Sequence, residues 1–162
     1  STATITSMVF TLLLGAAVFS IVFRILGGED LVHALLSHLP GGTTGALISV
    51  MLVMFLLGFV LDTFEVIFII IPITAPVLLG MDVDPVWLGV LVGITLQTSF
   101  MTPPFGFSLI YLRGVAPASV TTGMIYRGAV PFVALQLIGL GIVMAFPELS
   151  TWLPAQVFRN GG

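Results

Sequence analysis

Cysteine and lysine are both missing from this chain. Without cysteine there is no disulfide scaffold, no thiolate metal site and no thiol nucleophile. With four arginines as its only strong bases, the chain has no basic patch for nucleic acid. Charge of either sign is scarce. Charged residues make up 7% of the chain, where a soluble domain carries about 25%. Histidine occurs only as His33 and His38, whose spacing puts them on different helix faces, and no HExxH pattern accompanies them. Both are read as interfacial residues rather than metal ligands.

Apolar side chains are abundant instead: hydrophobic residues reach 58% and the mean hydropathy is +1.24. A chain with so few charges cannot cover its own surface in water. Most of that surface must face lipid or other apolar protein. The useful unit of length is then the spanning helix, at about 20 residues each. The net charge of −3 says little about partners. The opening apolar stretch has no basic region before it, so it does not read as a signal peptide. Together with a first residue that is serine, this leads us to expect a piece of a longer chain, cut inside a membrane domain.

The hydropathy pattern predicts an all-α integral membrane protein, a bundle of transmembrane helices with re-entrant or discontinuous ones among them. Spans are expected at about 3–26, 46–71, 86–112 and 129–146, the third of them broken. Arg24 closes the first span, where its long side chain can reach the headgroups. A short interfacial or re-entrant helix follows from Glu29 to Leu39, with acidic residues at its N-terminus and Pro40-Gly41-Gly42 at its end. Pro72 and Pro76 are expected to kink or break the path after the second span. Asp82 and Asp84 fall in a polar connector, and another connector runs from Arg113 to Arg127. Trp152 suits the membrane–water interface. The arginines are too dispersed to fix orientation.

The stretch Gln97–Gly106 carries the most chemical information. Pro103 and Pro104 have no N–H to offer the carbonyls of Ser99 and Phe100, and Thr102 is pushed toward an extended backbone by the proline after it. Two carbonyls therefore lose their helical partners beside the hydroxyls of Thr98, Ser99 and Thr102. Oxygen-only donors of this kind suit a hard monovalent cation such as Na⁺, and discontinuous helices are a way secondary transporters build such sites. The plainer reading is a proline kink whose hydroxyls bond back to the backbone.

Asp62 and Glu65 are a second signal. Three residues apart on a helix, they share a face, and carboxylates within a span are functional candidates by default. They fit a proton-binding pair or a water-filled cavity. Equally, they fit a helix that ends near Leu61 at the membrane surface. Gly58, one turn earlier, allows close backbone approach or simple helix packing.

On these residues the sequence resembles the large (M, DctM-like) subunit of tripartite ATP-independent periplasmic (TRAP) transporters. The resemblance is carried by Gly58-Phe-Val-Leu-Asp62, Ile71-Pro-Ile-Thr-Ala-Pro76, Gly80-Met-Asp-Val-Asp-Pro85 and Leu96-Gln-Thr-Ser-Phe-Met-Thr-Pro-Pro-Phe-Gly106. Tyr111-Leu-Arg-Gly-Val-Ala-Pro117 and Ile125-Tyr-Arg-Gly128 further resemble the branch labelled mannitol/chloroaromatic. The resemblance implies a multi-pass permease of the prokaryotic inner membrane, with residues 1–162 forming the C-terminal part of its membrane domain and one half of an inverted-repeat fold. It implies uptake of an organic anion from a periplasmic substrate-binding protein, with Na⁺ as coupling ion and no other metal or cofactor. A small membrane (Q) subunit, the missing N-terminal part of the same permease and the lipid bilayer are its implied partners.

Carried over residue by residue, the resemblance implies a sodium site around Thr98, Ser99, Met101, Thr102 and Pro103, faced by Gly58. Asp62, Glu65 and Gly106 take gating or supporting roles. A proton-coupled transporter using Asp62 or Glu65 is the nearest alternative. A membrane-embedded aspartyl enzyme would need a second intramembrane aspartate, and Asp82 and Asp84 lie in a connector. The chain is therefore not expected to be an enzyme.

Overall fold

A computed structural model describes residues 2–61, 63–103, 106–117 and 119–159. Among them the chain is helical, in the order α1 (Thr2–Ile25), α2 (Gly28–Ser37), α3 (Gly42–Leu57), α4 (Thr63–Glu65), a π-helical turn (Val66–Ile70), α5 (Ile71–Gly80), α6 (Pro85–Met101), α7 (Phe107–Val115), α8 (Thr122–Ala145) and α9 (Glu148–Arg159). Among the described residues, three stretches are long and apolar enough to cross a membrane: Thr2–Ile25, Thr63–Gly80 and Thr122–Ala145. α2 and α3 together make a fourth, bent by 116°. The chain divides into two compact units, one holding α1 to α5 and the other α6 to α9 with Gly58–Val60.

In the first unit, α3 is the buried element. Ala46, Leu47, Val50, Met51 and Met54 line its inward side, and α3 packs on the π turn and α5, whose buried residues include Val66, Val77 and Leu78. α1 packs against α2, the π turn and α5, yet its apolar residues remain open, Phe10 and Leu14 being 62% and 69% exposed. This open apolar surface belongs to a helix long enough to cross a membrane. Arg24 at its end pairs with Glu29 of α2, Nε to Oε1 at 2.9 Å. The expected short helix before Pro40 is α2. The bend into α3 uses Gly41 and Gly42 at φ 99° and 58°, where a side chain would be strained.

Two expected spans are corrected. The second does not run from 46 to 71: α3 stops at Leu57, and the chain turns before helix resumes at Thr63. Pro72 and Pro76 do not end the helix that follows, which continues to Gly80. The π turn ahead of Pro72 is the reason. Ile71 donates its N–H to the Val66 carbonyl, five residues back, so the ladder already skips a bond where proline has none to give. The last span starts at Thr122 rather than 129, because Tyr126 and Arg127 occupy its early turns. Thr121 caps it through a bond from the Met124 N–H.

The second unit is built on α6. Asp84 caps this helix by accepting from the N–H groups of Val86 and Trp87 at 2.8 and 3.0 Å, and Pro85 takes the first helical position. Asp84→Ala should destabilise the permease by about 1 kcal/mol, while Asp84→Asn should be near neutral. Thermal unfolding in detergent checks both. Beyond α6, Leu109 of α7 packs with Ile125 and Ala129 of α8 in a small core that Ala116, Val120 and Tyr126 border. At the other end of α8, the Trp87 indole N–H donates to the Val143 carbonyl at 2.8 Å.

Candidate functional site

α6 turns a stripe of hydroxyls inward. Thr95, Thr98 and Ser99 are fully buried, and together with Thr102 they repeat at helical spacing on one face. The Thr98 and Thr102 hydroxyls each bond back to the backbone one turn earlier. Thr98 donates to the Ile94 carbonyl at 2.6 Å and Thr102 donates to the Thr98 carbonyl at 2.6 Å. From Trp87 to Thr98 is about 16 Å of helix, roughly half of a 30 Å hydrocarbon layer.

The helix ends where the prolines require it to. Thr102, before Pro103, adopts φ −90° and ψ 127°, the extended geometry a following proline imposes. The Ser99 and Phe100 carbonyls do lose the N–H groups that prolines cannot supply, but neither is left bare. Thr102 N–H donates to the Ser99 carbonyl at 3.1 Å, and the Ser108 hydroxyl of α7 donates to the Phe100 carbonyl at 2.7 Å. In hydrocarbon an unpaired carbonyl is costly, so the break recruits donors from its own flanks. Each carbonyl still has a second lone pair.

Gly106 closes the break. Its N–H donates to the Thr102 carbonyl at 3.0 Å, and it starts α7 without a side-chain cap. A Cβ there would stand 2.8 Å from the Phe100 carbonyl oxygen and 2.9 Å from that of Thr102. Two backbone oxygens therefore converge on this glycine. Pro103 lies in the turn between α6 and α7.

Sequence reasoning missed the residue that ties this region to the neighbouring span. Gln136 lies on α8, which packs on α6. Its Oε1 is 2.9 Å from the Thr98 hydroxyl, and its Nε2 is 3.6 Å from the Met101 sulfur. The signal was present: Gln136 is the sole polar side chain between Arg127 and Pro147. Thr95 and Ser108 were missed as well, though each extends the hydroxyl pattern by one turn or caps its end.

Thr98, Met101 and Thr102 are thus brought together, with Ser99 on the same buried face. Gly58 groups with this unit through Gly58–Val60, although its chain neighbours on both sides group with the other. Asp62 lies outside the described residues. Glu65 belongs to the first unit, where it borders an apolar cavity of about 270 Å³ with Thr11, Gly15 and Phe19 of α1 and Phe68.

Residues 1–149 match the family profile described as "Tripartite ATP-independent periplasmic transporter, DctM component". The chain is similar to the C4-dicarboxylate TRAP transporter large permease protein DctM of Vibrio cholerae, 31% identical over 67% of this chain and 23% of the relative. It is similar to the ectoine/5-hydroxyectoine TRAP transporter large permease protein UehC of Ruegeria pomeroyi, 27% identical over 99% of this chain and 37% of the relative. A third relative is the sialic acid TRAP transporter permease protein SiaT of Haemophilus influenzae, 25% identical over 67% of this chain and 17% of that protein. The chain spans well under half the length of these curated relatives. They are permeases by name, which points to a transporter rather than an enzyme, and the apolar helices make this a multi-pass membrane protein. A family match over nearly the whole chain leaves one conclusion: it belongs to the DctM component family of the tripartite ATP-independent periplasmic transporters.

Proposed function

We propose that the chain is part of the large permease subunit of a sodium-coupled TRAP transporter in the prokaryotic inner membrane, importing an organic anion. The break between α6 and α7 carries this reading. Its donors are oxygens: the buried hydroxyls of Thr98 and Ser99, the Thr102 hydroxyl, and the carbonyls of Phe100 and Thr102 that converge at Gly106. No carboxylate lies between Pro85 and Arg113, so the set is neutral and fits a hard monovalent ion better than a divalent one. Thr98 lies about 16 Å along α6 from Trp87, and transporters place coupling sites near the bilayer midplane.

A periplasmic binding protein would deliver the solute, and a small membrane subunit together with the remainder of the permease would complete the system. Two of the similar relatives bear C4-dicarboxylate and sialic acid in their names, which supports an acidic solute. The stretches Tyr111–Pro117 and Ile125–Gly128 support the mannitol/chloroaromatic branch within the family. Proton coupling through Asp62 or Glu65 is the second reading, favoured by the apolar cavity that Glu65 borders.

Uptake by the full-length permease in proteoliposomes, with its binding protein, separates the two. Uptake should require an inward Na⁺ gradient at fixed pH. Thr102→Ala should weaken its Na⁺ dependence several-fold, while Thr102→Ser, which keeps the hydroxyl, should not. Uptake indifferent to Na⁺ but driven by a pH gradient would overturn the sodium site and favour the carboxylates.

A further inference from the structure

We infer that α9 lies along the membrane–water boundary with its apolar side in the phospholipid layer, as an anchor at one end of the second unit. The argument starts from a helix folded the wrong way round for water. Leu149, Trp152, Leu153 and Val157 share one side and are 64%, 63%, 60% and 59% exposed, with one polar residue, the half-buried Gln156, among them. Ser150, Thr151 and Pro154, on another side, are half-buried, and α9 packs on α6. Both hydroxyls are satisfied within the helix, donating to the Pro147 carbonyl at 2.9 and 3.1 Å. A helix solvated by water turns its apolar stripe inward and its hydroxyls outward. This one does the reverse, so the medium beyond Leu149 and Leu153 is apolar.

Phospholipid is the occupant because the stripe continues a lipid-facing surface. α8 is long and apolar enough to span, and Ile142 and Phe146 at its end remain exposed. With Leu149, Trp152 and Glu148 they line a groove of about 550 Å³ that runs from the span onto α9. The bond from the Trp87 indole to Val143 puts the chain's other tryptophan at this same end of α8. Indoles at the level of the headgroups are the usual marker of the interface. A third direction carries the carboxylate of Glu148, which lies with Ala155 on the edge between the apolar stripe and the protein side, and both are exposed. Lipid, water and protein each take one side of the helix, as in helices lying in the interface plane.

The test is spin labelling of the full permease, with its native cysteines replaced, in phospholipid vesicles. Labels go at Trp152→Cys and Leu153→Cys on the apolar side, Ala155→Cys on the polar edge and Thr151→Cys on the inward side. Leu149→Cys and Val157→Cys form a second apolar pair should the first disturb folding, judged by retained uptake. Collision with oxygen relative to a water-soluble nickel chelate should be several-fold higher at 152 and 153 than at 155. The label at 151 should be immobile and poorly reached by either. Apolar-side labels as open to the nickel chelate as Ala155→Cys would mean that face looks into water. Labels there that are immobile and shielded from both probes would mean another protein segment covers it. Either result overturns the inference.

Discussion

Gly106→Ala is expected to cut solute uptake at least about tenfold and to lower the stability of the permease by about 1–3 kcal/mol. The added carbon would meet the Phe100 and Thr102 carbonyl oxygens at 2.8 and 2.9 Å and the Met101 carbonyl carbon at 3.1 Å. All three are backbone atoms, so no side chain can swing aside. Relief requires moving the end of α6, which also moves the hydroxyl face and the bond from Gly106 to Thr102. Gly139→Ala and Gly141→Ala on α8 are the controls, since nothing lies within 4 Å of a Cβ at either position. Uptake and thermal unfolding measured in parallel separate a lost site from a lost fold. A Gly106→Ala permease that transports like the parent would show that the carbonyls do not converge as described.

The second large effect is expected at Gln136. Replacing it with lysine sets an ammonium beside the Thr98 hydroxyl and the Met101 sulfur, which the amide now contacts at 2.9 and 3.6 Å. A lysine at the centre of a span costs about 2.5–3.5 kcal/mol, and here its charge would repel any cation near Thr98. Gln136→Lys should therefore abolish Na⁺-driven uptake. Gln136→Leu removes both amide contacts with α6, polar contacts between membrane helices being worth about 0.6 kcal/mol each on average, and leaves the Thr98 hydroxyl its bond to Ile94. It should keep most of the uptake. Equal activity for the two variants would separate Gln136 from the coupling site, and the sodium dependence of each is the quantity to measure.

The fold class was legible because composition alone decides which solvent a chain can face. The break after α6 was legible for a local reason: two adjacent prolines remove two specific bonds, and no distant residue can restore them. The donors that replaced those bonds were not legible. Ser108 reaches the Phe100 carbonyl where Gly106 bonds back to the Thr102 carbonyl, a geometry no single residue announces. The Thr98–Gln136 contact joins residues 38 apart, and only the packing of α6 on α8 brings them together. The second span was misplaced because Pro72 and Pro76 are conspicuous, whereas the break after Leu57 carries only Gly58 as its signal. Tyr126 and Arg127 misled the other way. Hydropathy reports contact with lipid, and a helix goes on beyond the hydrocarbon as long as its backbone bonds do.

The π turn from Val66 to Ile70 also affects how this chain is compared with others. It holds one residue more than an α-helical turn spanning the same rise, so every side chain after it is rotated by about 100° from the position an unbroken α-helix would give. Counting faces from Glu65 through to Thr74 or Val77 in steps of three and four therefore puts them on the wrong side. A homologous helix without the turn should align here only across a gap of one position, and an ungapped alignment would match residues that point in different directions.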